Sequence, residues 1–360
     1  MLKGNKGEWS EIYTFLKLLA EGKLYAADSD LNRIEDVYYP LIKILRSETS
    51  GNREYYCNTN IKIVDAPSGK VLLEISVEEF KEKSLLLLRE IKKAKGRSFR
   101  VPEIESFLEK IKCTQLKASS GDKSDIHIVV HDMVTGLTPE LGFSIKSRLG
   151  GKATLFNASG HTNFIYEIVG EHSNNLEIEE INRIDSKSKI MERVSAIESK
   201  GLRLEYHDME SEMFKLNLQV IDTALPQIVA SIVLNYYRGR GKNLSDLLDI
   251  VKEENPCNFN QNLDHNFYEY KIKNFIRDVA LGLVPSRPWK GQFDATGGYI
   301  VVKEDGDILC YHIYNHNEFQ DYLLRYTELE TPSSSRYKFG DIYKKDGGLF
   351  IKLNLQIRFK

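Results

Sequence analysis

Strand-like segments occupy the first and last parts of this chain, and a long stretch of helical pattern, residues 175–282, lies between them. That order predicts a mixed α+β fold. The opening residues place Ile12, Phe15, Leu16 and Leu19 at helical spacing, and Gly22 stands where such a helix would end. Strands are expected over 38–45, 55–64 and 71–75, the last after the Pro67-Ser68-Gly69 turn. Ser76 and Glu79 have the form of a capping box, opening a helix towards Gly96, and Pro102 begins a shorter one through Ile111. Residues 125–130 are β-rich, 134–141 hold Gly136 and Pro139, and 142–146 read as a second short strand. Within the middle stretch, helices are expected over 178–200, 213–237, 244–254 and 265–281. Strands return over 299–303, 308–314 and 350–359.

At 360 residues the chain has room for about two domains. The pattern divides into residues 1–172, with the first helix and the 125–146 hairpin, and 173–360, with the helical stretch and a β-rich end. With 41% hydrophobic residues it can build a sizeable core. The strongest apolar run, the four leucines 85–88, is closed off by Lys83 and Arg89, far short of a membrane span. The first residues lack the apolar stretch of a signal peptide. Four cysteines without a CxxC pair fit a reducing cytoplasm. The net charge is −2, yet residues 89–123 hold ten Lys/Arg against five Asp/Glu, and residues 336–360 hold seven against two. A near-neutral total therefore allows a basic face, either a solvated one or one that meets nucleic acid.

The most informative segment runs from Ser124-Asp125 to Lys146, with Ser144 two residues before the lysine. Residues i and i+2 of a strand share a face, so Ser144 and Lys146 are co-facial, and antiparallel pairing would bring Asp125 beside them. An acid next to a lysine on adjacent strands suits a hard cation and an oriented water, the needs of phosphodiester hydrolysis. An ordinary edge-strand lysine would show the same pattern.

This segment resembles the PD-(D/E)xK nuclease core, with Ser-Asp in place of Pro-Asp and Ser-Ile-Lys in place of Asp/Glu-x-Lys. More narrowly, residues 5–11 (NKGEWSE), 143–147 (FSIKS), Asn157-Ala158-Ser159 with Thr162-Asn163-Phe164, and Glu330-Thr331-Pro332-Ser333 with Arg336 are similar to type II restriction endonucleases of the HpaII family. The matching segments run nearly end to end. The resemblance implies a mixed central sheet flanked by helices, cytoplasmic Mg²⁺-dependent cleavage of double-stranded DNA at a short palindrome, CCGG in the family's namesake, and a possible two-fold dimer on that site. It makes Asp125 a metal ligand and Lys146 the group that orients or deprotonates water. Ser144 stands where the second acid usually does, and a hydroxyl is a poor substitute for a carboxylate. Related nucleases place a helix glutamate at the metal, at a Gly-x-x-x-Glu spacing that Gly7 and Glu11 reproduce, so Glu11 and then Glu8 are the replacements to test. Both glutamates would also suit a helix N-terminus as such.

DNA contacts are expected from Lys123, Ser147 and Arg148 around the hairpin. The loop with Asn157, Ser159, Thr162 and Asn163 suits phosphates, or is a structural turn. Arg325, Arg336 and Lys338 near the end offer guanidinium and ammonium groups for guanine edges or phosphates, with the Ser333 hydroxyl as a further DNA contact. His312 and His316 have metal spacing only on a helix, and this stretch reads as a strand entering a loop. Two rival readings are a non-catalytic DNA-binding protein with a decayed core and a mismatch-repair-type nicking enzyme.

Overall fold

The computed structural model describes residues 2–117, 124–133, 135–171 and 176–360, without the Ile313 side chain. The chain opens with α1 (Lys6–Glu21), β1 (Lys23–Ala27), β2 (Arg33–Glu48), β3 (Gly51–Cys57), β4 (Asn60–Asp65), β5 (Lys70–Ser76), α2 (Val77–Lys93), α3 (Pro102–Lys110), β6 (Ile126–Val130) and β7 (Glu140–Ser147). There follow β8 (Thr154–Phe156), β9 (Asn163–Val169), α4 (Ile178–Asn182), α5 (Lys189–Ser199), β10 (Arg203–Met209), α6 (Glu212–Ile221), α7 (Leu225–Tyr237), α8 (Leu244–Glu254) and α9 (Phe267–Leu281). The last part carries β11 (Gly298–Val302), β12 (Ile308–His312), α10 (His316–Arg325), β13 (Thr327–Leu329), α11 (Ser334–Tyr337), β14 (Ile342–Lys345), β15 (Gly348–Asn354) and β16 (Ile357–Phe359). Mixed α+β is the outcome, as the block order predicts.

Two compact units form, Met1–Ala153 with Phe293–Tyr322, and Thr154–Gln292 with Leu323–Lys360. The single boundary expected at 172 is not the division found. Its place is taken by three crossings, because two strands from late in the chain complete the first unit's sheet. In that sheet β7 pairs in parallel with β11, β11 antiparallel with β12, and β12 in parallel with β1. β1 then pairs with β2, β2 with β6 and β6 with β7, all antiparallel, so six strands close on themselves as a ring. β3, β4 and β5 continue from the far half of β2. Pro40 lies where β2 passes from β1 to β6; it has no N–H to lose, and its carbonyl still accepts from the His131 amide at 2.8 Å.

α1 packs its apolar face on this sheet. Ile12, Phe15, Leu16 and Leu19 are all buried, in one cluster with Phe143, Ile145 and Ile300. Asn5 and Glu8 close the helix start as a reciprocal capping box, and Gly22 ends it in the left-handed conformation at φ +65°. Some expected elements divide further. The 55–64 run is a hairpin of β3 and β4, the 178–200 segment breaks into α4 and α5, and 213–237 turns at Asp222 before Pro226 into α6 and α7. β9 interrupts no expected helix, but β10 lies inside the stretch read as mostly helical. Phe164, Tyr166 and Ile168 alternate inwards along β9, which pairs with β10 and β15. Among the described residues no single helix is long and apolar enough to cross a membrane. The one apolar helix pair, α6 with α7, is bent by 111°, and α7 is buried along nearly its whole length.

Close approach fixes the start of β6. The Ser124 hydroxyl donates to the Asp294 carbonyl oxygen at 2.9 Å, and a Cβ on Gly142 would strike that same hydroxyl. Gly142→Ala should therefore destabilise the fold by about 1–3 kcal/mol. In a Ser124→Ala background, chemical denaturation should show a clearly smaller cost, whereas simple additivity would remove the contact from the account.

Candidate active site

The antiparallel pairing of β6 and β7 sets Asp125 against the middle of β7, with the Asp125 amide donating to the Phe143 carbonyl oxygen at 2.8 Å. One carboxylate oxygen of Asp125, Oδ2, accepts from the Ile145 amide at 2.7 Å and the Ser144 hydroxyl at 3.2 Å. Ser144 is buried. Its hydroxyl acts on the neighbouring acid, locking that side chain in one orientation. No hydrogen bond among the described residues engages Oδ1.

Lys146 projects from the same strand with its ammonium 5.3 Å from the centre of the Tyr299 ring. Tyr299 lies opposite Ser144 on β11. Burial pushes the Lys146 ammonium below its ordinary pKa, while Asp125 and then Glu11 push the other way. The lysine thus sits within electrostatic reach of both acids.

Glu11 reaches them from α1. The Ser10 hydroxyl donates to the Lys6 carbonyl at 2.7 Å, and the Ser147 hydroxyl completes the link at 2.8 Å from Ser10. The Lys6 ammonium donates to the Leu149 carbonyl oxygen at 3.3 Å. These bonds tie the first turns of α1 to the end of β7. Burial, then the charge on Asp125, raise the Glu11 carboxyl to about 8; Lys117 and Arg46 act against that rise. Two carboxyls and a lysine on three elements therefore share one charged environment. Glu8 is engaged elsewhere: its Oε2 accepts from the Asn5 amide at 2.8 Å, and its Oε1 lies 3.7 Å from the Lys117 ammonium.

The expected DNA contacts fare unevenly. Lys123 lies outside the described residues. The Ser147 hydroxyl is used by Ser10 and by the Leu149 amide at 3.1 Å, so it serves as a staple. Arg148 is half-buried, its amide donating to the Val302 carbonyl at 2.9 Å. In the second unit, Thr162 and Asn163 are fully buried and are corrected to structural residues. The Thr162 hydroxyl accepts from the Ser159 amide and donates to the Ser159 carbonyl. Asn163 donates to Glu210 Oε2 and the Tyr337 carbonyl and accepts from Asn354 Nδ2. Ser159 caps the short turn at Gly160–Thr162, while Asn157 is exposed. Ser333 caps α11. Arg325, Arg336 and Lys338 are exposed, with Arg336 over the Tyr337 ring at 5.5 Å.

His312 ends β12, buried, with its Nδ1 accepting from the Tyr314 amide; burial lowers its imidazole to about 4. It is a neutral core histidine. Among the described residues no group of three or more His, Cys, Asp or Glu could by itself hold a metal ion. Sequence reasoning missed Tyr299, Ser10, Arg46 and Lys117. Lys117 left a signal as a member of the basic run 89–123, and Ser10 as a member of the family-like segment 5–11.

The family model of the HpaII restriction endonuclease matches residues 5–359. The type II restriction enzyme HpaII of Haemophilus parainfluenzae is 49% identical over 357 residues, covering 99% of this chain and 98% of that protein. No solved structure matches the chain. The protein belongs to the HpaII restriction endonuclease family. It is a site-specific deoxyribonuclease of type II.

The Glu11 environment has a measurable consequence for stability. Unfolded, this carboxyl ionises near its ordinary value of 4.5; folded, it holds its proton to about 8. The folded state binds more protons between those values, so stability falls as pH rises through that window. In EDTA, the melting-temperature advantage of Glu11→Gln over the unaltered protein should therefore grow from pH 5 to pH 9. A difference that stays flat would mean that Glu11 is not desolvated.

Proposed function

We propose that the protein hydrolyses both strands of double-stranded DNA at a short palindrome, CCGG by family resemblance, with Mg²⁺, through a PD-(D/E)xK-type centre built from Asp125, Glu11 and Lys146. The observation that carries this reading is the double hydrogen bond on Asp125 Oδ2. Ser144 spends its hydroxyl there, so a second carboxylate must come from elsewhere, and Glu11 is the acid electrostatically coupled to Asp125.

The donor set fits Mg²⁺, a hard cation that takes one or two carboxylates and keeps several waters. Asp125, through the oxygen left by Ser144 and Ile145, and Glu11 would hold it. When bound, the ion supplies charge neutralisation for the phosphate under attack. Lys146 Nζ orients the attacking water and takes its proton, a task eased by the burial that lowers its pKa. A bond forms from the water oxygen to phosphorus, and the bond to the leaving sugar oxygen breaks. Tyr299 covers the lysine and limits its hydration. Asn157 and Ser159, together with the exposed Arg325, Arg336 and Lys338, are offered as DNA contacts of the second unit, with Arg336 forked onto a guanine edge. A palindromic site favours a two-fold pair of chains.

Plasmid DNA incubated with Mg²⁺, against an EDTA control, tests the reading. Discrete fragments are expected, and nicked circles alone would favour the nicking enzyme. Asp125→Ala should abolish cleavage while leaving duplex affinity within about tenfold, since it removes no phosphate contact. Lys146→Ala should slow single turnovers by roughly 10²–10⁴-fold. Normal cutting by either variant would take that residue out of the centre.

A further inference from the structure

Next to the proposed catalytic carboxyls, a short run of chain is held by a buried ion pair and its hydrogen bonds. Arg46 and Glu48 form a buried ion pair, Nε to Oε1 at 2.7 Å. Neither side chain is spent only on the other. Arg46 Nη2 donates to the Gln115 carbonyl oxygen at 2.7 Å, and Glu48 Oε2 accepts from both the amide and the hydroxyl of Thr114, at 2.7 and 2.8 Å. Cys113 is buried, and Leu116 packs into the core, close enough to Gly4 that a Cβ there would strike it. Residues 113–116 are therefore fixed by charge, hydrogen bonds and packing. Such a buried pair costs desolvation and is held by its extra hydrogen bonds.

Lys117 is the next residue, and it leaves this anchored base for solvent, its side chain 63% exposed. Its ammonium stands 3.7 Å from Glu8 Oε1, and Glu8 is itself pinned by the cap at Asn5. Glu11 lies one turn further along the same helix, three residues on. At 3.7 Å the contact with Glu8 is an ion pair longer than a hydrogen bond, so the three ammonium donors remain for a ligand. A compact, hydrated point charge of this kind suits a phosphate oxygen.

We propose that Lys117 is a phosphate-binding residue beside the catalytic carboxyls, taking a backbone phosphate of the DNA duplex, with Glu8 as the group that positions it. This rests on the nuclease reading above. It gives Glu8 a task other than holding metal, and it places a cation where the substrate's charge meets Asp125 and Glu11.

The test is duplex binding by fluorescence anisotropy in Ca²⁺ between 50 and 200 mM salt, using a duplex that the unaltered enzyme cleaves in Mg²⁺. Lys117→Ala should flatten the slope of log affinity against log salt by about one unit, the loss of one phosphate contact. Lys117→Arg should restore the slope, because the charge is kept. Glu8→Gln should weaken binding less than Lys117→Ala does, and all three melting temperatures should stay near the unaltered one. Should Lys117→Ala fail to fold, Lys117→Gln carries the same comparison. An unchanged slope overturns the proposal, and so does a change that Lys117→Arg does not reverse or that comes with a large fall in melting temperature. Cleavage of that same duplex by Asp125→Ala in Mg²⁺ separates the two claims. Normal cutting by that variant sinks the nuclease centre itself, whereas a dead Asp125→Ala beside an unaltered Lys117→Ala slope sinks only the phosphate site.

Discussion

The Asp125 carboxylate, caught by the Ile145 amide and the Ser144 hydroxyl, is the interaction on which the rest of the site depends. Two donors converge on one oxygen and fix the side chain's rotation, and no hydrogen bond among the described residues engages the other oxygen. The bond follows from the antiparallel pairing of β6 with β7, and a glycine at 142 leaves room for the Ser124 side chain beside it. Parallel pairing with β11 then brings Tyr299 beside Ser144 and over Lys146. Ring closure in the sheet is thus part of how the site is made, since β11 and β12 arrive from late in the chain.

With the Ser144 hydroxyl committed to Asp125, the acid that shares its electrostatic environment comes from a helix. Glu11 is carried by α1, whose apolar face is buried and whose first turns are tied by Ser10 to Ser147 and by Lys6 to Leu149. A helix held at both its core face and its end positions a side chain more firmly than a loop would. Glu8, three residues earlier, closes the cap instead. Two acids a turn apart on one helix thereby meet different surroundings, Glu8 accepting from the Asn5 amide and Glu11 facing the Asp125 charge.

Much of this was legible in the sequence because it is local. The spacing of Ile12, Phe15, Leu16 and Leu19, the glycine at 22 and the strand pair carrying Asp125 and Lys146 depend only on near neighbours. What was hidden depends on distant ones. Thr162 and Asn163 read as small exposed donors, yet Asn354, nearly two hundred positions on, buries Asn163 and binds it. The boundary near 172 failed for a similar reason, since no local signal says that residues 298–312 pair with β7 and β1. The spacing from Gly7 ranked Glu11 ahead of Glu8, and the packing of α1 adds the reason: Glu8 is taken up by the cap at Asn5 while Glu11 faces the Asp125 charge. Arg46 gave no signal at all, because a buried arginine is unmarked until its partners on β2 and in residues 113–116 are in place.

The central claim is that Glu11, rather than residue 144, completes the acidic pair with Asp125. Direct binding of Mn²⁺, followed by the paramagnetic resonance of the free ion, tests it without reference to cleavage. Glu11→Gln and Asp125→Asn should each lose most of the cation affinity, while Ser144→Ala and Glu8→Gln keep it within a few-fold. A Glu11→Gln protein that binds Mn²⁺ as tightly as the unaltered chain would contradict the account.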